Sequence, residues 1–299
     1  MKRIVHISDV HFGREIPAVV AGLIRDVRAA NPDLVILSGD FTQRAHELQY
    51  EQACEMLERL PKPQLLIPGN HDIPLYNLVQ RFSAPKHKYR RHLSSKTQMY
   101  FESDEVCVIG LDSARAFTVA NGRLSNKQIA EAAKLLEKWG DRMKIVVTHH
   151  PYSAPKKFLK SKLIKNAKEA LKAFSAAGAD IFLAGHLHIS YTGLTKERYP
   201  DVERNMLVIS CGTSTSNRGR GEPNNFNILE CEKDQVRIIR KWWENQEHKF
   251  ITVAEQVFVK QEENWVELKH EPETLVQPTK TEEKPPNADN IMKTSDRWA

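Results

Sequence analysis

Five short clusters of Asp, Asn and His punctuate the first two thirds of the chain. They are Asp9-Val10-His11, Gly39-Asp40, Gly69-Asn70-His71-Asp72, His149-His150 and Gly185-His186-Leu187-His188. Carboxylate, imidazole and amide oxygen together suit divalent cations of intermediate softness, such as Mn2+, Fe2+ or Zn2+. A single Asp-x-His or Gly-Asp says little by itself. Gly-Asn-His-Asp is also a good turn sequence, and Gly-His-x-His can be structural. What the five share is context, because each follows directly on an apolar run. Residues i and i+2 leave an extended strand on one face, and glycines at 39, 69, 110 and 185 let the backbone turn tightly beside them.

Those apolar runs define the elements that must position the clusters. Arg3–Ser8, Leu34–Ser38, Gln64–Ile67, Val106–Leu111, Lys144–Thr148, Asp180–Ala184 and Met206–Cys211 read as buried strands. Several are nearly continuous in hydrophobicity, as strands covered on both faces are. Helical spacing runs through Val19–Ala30, Glu47–Leu60, Asn126–Trp139 and Lys160–Ala177. Pro32 and Pro61 stop the first two, Ser125 caps the third and Gly178 ends the fourth. Strand alternating with helix predicts a layered α/β domain. From Asn225 the pattern becomes consecutive strands, Phe226–Cys231, Val236–Trp243 and Phe250–Lys260, an antiparallel end to the sheet. Ligands of open α/β sheets bind at the carboxyl ends of strands, so the five clusters are expected to converge at one edge.

With all five blocks in order, residues 1–240 resemble the calcineurin-like metallophosphoesterases. Ser8-Asp9-Val10-His11-Phe12-Gly13, Gly122-Arg123-Leu124-Ser125, His149-His150-Pro151 and Gly212-Thr213-Ser214-Thr215 resemble, more narrowly, the bacterial cyclic-AMP phosphodiesterase branch. The resemblance implies a β-sandwich flanked by helices. It implies two divalent ions, Mn2+ or Fe2+ with Zn2+ as the further choice. Asp9, His11 and His188 would hold one ion, Asn70, His149 and His186 the other, and Asp40 would bridge them. A hydroxide between the ions would attack phosphorus in line with the leaving oxygen. His71 would contact a phosphoryl oxygen or protonate the leaving group. Asp72 would either orient His71 or cap the following turn. His149 is the expected ligand because it comes first after its strand, with His150 behind it. His6, inside the first strand, reads as a core histidine.

The composition narrows the classes. The 299 residues are 40% hydrophobic and 27% charged, which excludes wholesale disorder. No apolar run reaches the roughly 20 residues that span a bilayer. The N-terminus turns polar too early for a signal peptide. Four scattered cysteines fit a reduced, cytoplasmic protein. The net charge of +6 is concentrated: Ile73–Phe101 holds six Lys or Arg and no acidic residue, and Lys156–Lys172 holds seven Lys against one Glu. Both stretches follow a site cluster closely and are expected to overhang the cleft and attract a phosphorylated small molecule. Arg14 and Arg123 are candidates for direct phosphate contact.

A cyclic nucleotide or similar small phosphodiester is the leading substrate class. One alternative is a pyrophosphohydrolase of a nucleotide-linked lipid of the UDP-diacylglucosamine type. There, Phe158, Leu159, Leu163 and Ile164 would form the apolar side of a membrane-contacting lid. A nuclease is the other alternative, although no basic strand interleaved with aromatics supports nucleic-acid binding. A non-catalytic scaffold on the same fold is opposed by the intact ligand set. Three segments are expected: the metal domain to residue 240, a strand extension over residues 241–267, and a disordered tail over 268–299. That tail carries four Pro and eleven charged residues.

Overall fold

The computed structural model describes residues 1–118, 120–155, 158 and 163–268. The expected tail beyond Leu268 and most of the 156–162 lysine run therefore lie outside the described residues. The first half of the fold contains β1 (Lys2–Ile7), α1 (Pro17–Ala29), β2 (Leu34–Ser38), α2 (Glu47–Arg59), β3 (Gln64–Ile67), α3 (Leu78–Ser83), α4 (His87–His92), β4 (Met99–Glu102) and β5 (Val106–Leu111). Then come α5 (Asn126–Lys138), β6 (Met143–Thr148), α6 (Ala167–Ala176), β7 (Ile181–Ala184), β8 (Tyr191–Leu194) and β9 (Leu207–Ser210). The chain closes with β10 (Asn225–Glu232), β11 (Gln235–Glu244), β12 (Lys249–Gln261) and β13 (Asn264–Leu268).

Two sheets form, with strand orders β13-β12-β11-β10-β1-β2-β3 and β4-β5-β6-β7-β9-β8. β1, β2 and β3 run parallel, as do β5, β6, β7 and β9. The period-two alternation of a strand explains why these runs are apolar throughout. Ile4, Ile36 and Ile67 point inward against Val108, Ile145, Leu183 and Ile209 of the second sheet. Their neighbours Val5, Val35 and Leu37 point outward onto Leu23 and Val27 of α1 and Tyr50 and Ala53 of α2. On the other side, Ile109, Val146 and Phe182 meet Leu136 of α5 and Phe174 of α6. The result is an αββα sandwich, with antiparallel strands toward the C-terminus as the sequence predicts.

The fourth predicted helix is shorter than its periodicity suggests. Within the described residues it starts at Ala167, not Lys160. Ile164 instead forms a bridge with Gly122, its N–H donating to the Pro151 carbonyl at 3.1 Å. The Asn166 amide exchanges hydrogen bonds with the Leu124 backbone at 3.1 and 2.9 Å, which fixes that extended stretch. Leu163 and Ile164 are consequently buried, with Leu163 packed among Ala154, Leu187 and Ile189. Their apolar side faces the domain, not a membrane. The expected boundary after residue 240 falls within β11, which pairs with β10 and β12 along its length. Among the described residues, no helix is long and apolar enough to cross a membrane.

Candidate metal centre

Asp9 and His11 follow β1, Asp40 follows β2, Asn70 follows β3, His149 follows β6, and His186 and His188 follow β7. Four come from one sheet and three from the other. The loops interlock through backbone bonds, Asp9 N–H to the Gly39 carbonyl at 3.1 Å, His11 N–H to Asp40 at 2.9 Å and Gly185 N–H to His149 at 3.0 Å. Asp9, His11, Asp40, His186 and His188 all take positive φ, between 47 and 71°. For residues with a Cβ each such conformation costs on the order of 1–3 kcal/mol, and such strain clusters at functional sites. Gly69 has to be glycine, because a Cβ there would collide with the Asp40 carboxylate. At Gly185 it would collide with Ser8 and Asp9.

The two carboxylates are each half-satisfied. Asp9 Oδ2 accepts from the Ser8 hydroxyl at 2.6 Å and the His186 N–H at 2.8 Å, while Oδ1 is buried with no hydrogen-bond partner among the described residues. Asp40 Oδ1 accepts from the His71 N–H at 2.8 Å, and Oδ2 is likewise bare. Ring nitrogens surround the bare oxygens. His188 Nε2 and His11 Nε2 lie 3.2 and 3.6 Å from Asp9 Oδ1. His149 Nε2 and His11 Nε2 lie 3.3 and 3.6 Å from Asp40 Oδ2. His149 Nε2 is also 3.1 Å from Asn70 Oδ1 and 3.2 Å from His186 Nδ1.

Tautomers decide what these contacts mean. His149 Nδ1 faces the Ser38 carbonyl at 2.7 Å and His188 Nδ1 faces the Arg218 carbonyl at 2.8 Å. Each must donate there, which turns the Nε2 lone pair toward the carboxylates. Buried ring nitrogens converging on bare carboxylate oxygens are a donor set for cations, which would displace the proton that His149 otherwise carries toward Asp40. It fits two divalent ions, with Asp40 Oδ2 between the halves. His150 does not share these contacts: its Nδ1 pairs with Ser113 Oγ at 2.9 Å, and its ring packs against His186. Burial opposes charge on the Asp9 and Asp40 carboxyls, but the surrounding histidines outweigh it and hold both far below the ordinary range. Burial also opposes charge on His149, yet Asp40 carries it up to about 9.

A cleft of about 340 Å³ opens beside this centre, lined by Asp40, Asn70, His71, His186 and His188 together with Gln43, Arg44, Arg218 and Arg220. His71 Nδ1 faces the Gln43 carbonyl at 2.9 Å, and its Nε2 lies 3.1 Å from Arg218 Nη1. Asp72 serves neither role expected of it. Its carboxylate accepts from the backbone N–H groups of Phe41, Thr42 and Gly69 at 3.3, 2.9 and 2.9 Å, so it ties the β2 loop to the β3 loop. Gln43, not Asp72, orients the His71 ring. Burial and the neighbouring Asp40 push the Asp72 carboxyl up to about 7, against the pull of the three amides.

Arg14 and Arg123 are exposed and do not line the cleft. Arg44, Arg218 and Arg220 do, and the sequence reading missed them. Their signal was positional: Arg44 follows Asp40 by four residues, and Arg218 follows the Gly212–Thr215 segment at the end of β9. The basic run at residues 86–92 is occupied elsewhere. Lys86 pairs with Asp112, and Lys88, Arg91 and His92 gather around Glu47.

The model of the calcineurin-like phosphoesterase family matches residues 2–190, which include all seven converging side chains. The chain belongs to this family. A glycerophosphodiester phosphodiesterase of Enterobacter lignolyticus is 32% identical over 168 residues, covering 50% of this chain and 56% of that protein. The 3',5'-cyclic adenosine monophosphate phosphodiesterase of Escherichia coli K12 is 25% identical over 160 residues, covering 52% and 54%. The chain thus spans about half the length of these curated relatives. In fold it is similar to a purple acid phosphatase from yellow lupin seeds, with a TM-score of 0.62 at 12% identity, covering 84% of this chain and 52% of that one.

Proposed function

We propose that the protein is a metal-dependent phosphodiesterase acting on a small phosphodiester, with cyclic nucleotides as the leading class and glycerophosphodiesters beside them. The observation that carries this reading is the pair of bare, buried carboxylate oxygens on Asp9 and Asp40, ringed by imidazole nitrogens at the wall of a cleft. Asp9, His11 and His188 would hold one divalent ion, and Asn70, His149 and His186 the other, with Asp40 shared. Mn2+ or Fe2+ suits this mixed oxygen and nitrogen set. Such ions supply Lewis-acid charge and lower the pKa of bound water.

The remaining work falls to the chain itself. Arg44, Arg218 and Arg220 give the cleft a positive wall that attracts an anionic ester. His71, with its Nδ1 proton held by the Gln43 carbonyl, presents Nε2 as the atom that exchanges a proton with the leaving oxygen. Asp72 positions the two loops that carry Asp40 and Asn70. Ile73, Leu75 and Leu187 give the cleft an apolar wall. Leu163 and Ile164 are buried and offer no apolar face to a membrane-contacting lid, while Leu159 lies outside the described residues. The four cysteines are free thiols, three of them buried, which accords with a cytoplasmic protein.

Purified protein loaded with Mn2+ is expected to hydrolyse bis(p-nitrophenyl) phosphate and to lose that activity in chelator. A panel of cyclic nucleotides, glycerophosphodiesters, nucleotide-linked lipids and single-stranded DNA then ranks the esters. Absence of metal-stimulated hydrolysis on every ester would overturn the reading in favour of a scaffold.

A further inference from the structure

The cleft is lined by four arginines, Arg44, Arg81, Arg218 and Arg220, against one carboxylate, that of Asp40. Arg44, Arg218 and Arg220 line it together, and none has a carboxylate within ion-pair distance among the described residues. Arginines elsewhere do find such partners: Arg3 pairs with Glu230 at 2.7 Å and Arg204 with Asp180 at 3.4 Å. Arg81, on the same cleft wall, is tied to the carbonyls of Pro74 and Thr118. Arg44 and Arg218 use only Nη1 within the protein. Arg44 Nη1 meets the Gln43 carbonyl at 3.0 Å and His71 Nδ1 at 3.2 Å. Arg218 Nη1 meets Gln43 Oε1 at 3.2 Å and His71 Nε2 at 3.1 Å, and lies 3.4 and 3.3 Å from His11 Nδ1 and Nε2 at the edge of the candidate centre. Their Nε and Nη2 groups have no hydrogen-bond partner among the described residues, and neither has the exposed Arg220 guanidinium.

Three like charges held together repel one another, and a half-buried guanidinium without a counterion is costly. Such a cluster is stable when a ligand completes it with paired N–H···O bonds. In the phosphodiesterase reading the scissile phosphoryl group, singly charged in a diester, would face the cation-binding residues instead.

We propose that Arg44, Arg218 and Arg220 form a subsite for a second anionic group on the substrate, a phosphate or a carboxylate. The preferred ester then carries negative charge beyond the phosphoryl group that is cut. This rests on the phosphodiesterase reading for its chemistry but not for its binding.

The test compares two chromogenic esters with one leaving group, thymidine 5'-(p-nitrophenyl phosphate) and the same ester bearing a 3'-phosphate, on the Mn2+-loaded full chain. A 3'-hemisuccinate separates carboxylate from phosphate. The 3'-phosphate ester is expected to have at least tenfold higher kcat/KM, mostly through KM. In Arg44→Gln/Arg220→Gln that ratio should fall toward one. A wild-type ratio near one, or a variant that loses equally on both esters, overturns the subsite. Calorimetric titration of EDTA-treated protein with thymidine 3',5'-bisphosphate and thymidine 5'-monophosphate checks it without turnover. The bisphosphate should bind at least tenfold tighter in wild type, and Arg220→Gln alone, an exposed position, should narrow the gap. Equal affinities overturn the proposal even if hydrolysis is found. A tenfold gap with no hydrolysis of any ester overturns the phosphodiesterase reading alone.

Discussion

Asp40 stands where two donor sets meet: its bare oxygen lies near His11 on one side and His149 on the other. Asp40→Ala is therefore expected to release both metals, and full occupancy by elemental analysis would contradict the shared role. His71 stands at the cleft wall with its own ring nitrogens engaged by Gln43 and Arg218. His71→Ala should keep its metal and lose turnover about 10²–10⁴-fold, the usual range for a proton-transferring group. Equal loss of metal in that variant would assign it the wrong part. His6 is a quieter residue, fully buried beside Ser38 Oγ at 2.9 Å. Burial pushes its imidazole from 6.5 down to about 3. The folded protein thus binds this proton less tightly than the unfolded chain, so the contribution is complete above pH 6.5 and is lost as pH falls toward 3. The slope reaches about 1.4 kcal/mol per pH unit. Urea unfolding of His6→Gln should show a shallower acid slope than wild type, and parallel slopes would refute this.

The elements hold these residues through a few ties, and the strongest is Asp72. Asp72→Ala would orphan three buried N–H groups in the loops after β2 and β3, at about 1–3 kcal/mol each. A loss of at least about 3 kcal/mol in urea unfolding is expected, with weaker Mn2+ binding because Asp40 and Asn70 sit on those loops. An unchanged metal affinity would limit Asp72 to stability alone. This role was not legible in the sequence, where Asp72 reads only through its neighbour His71; its partners lie some 30 residues away in Phe41 and Thr42. The buried strands were legible because both faces of each are covered, so they read as short, nearly continuous apolar runs. β4 and β8 were not, since each spans four residues with partly exposed side chains. The expected helix before Gly178 shows the same limit: its periodicity is real, but Asn166 and the Gly122 bridge hold residues 163–166 outside it. The ligand clusters were readable for a local reason, since each is written contiguously at a strand end. The arginines of the cleft were not, because nothing local distinguishes Arg218 from the exposed Arg14.

On the scale of the whole molecule, the centre is a junction between the two sheets. Asp9, His11, Asp40 and Asn70 come from one, and His149, His186 and His188 from the other. Ions bound there would fasten the sandwich at its carboxyl edge. At a hundred times the dissociation constant a ligand adds about 2.7 kcal/mol, which for a domain of this size raises Tm by about 5–10 °C. Thermal unfolding with Mn2+ against EDTA measures this, and identical melting curves would rule it out.

The stretch after β9 that carries Arg218 and Arg220 begins beyond residue 190, where the family match ends. The seven side chains of the candidate centre and two of the three cleft arginines are therefore written in different stretches of the chain. Substitutions confined to that later stretch would change the charge of the cleft mouth while leaving every proposed ion ligand in place.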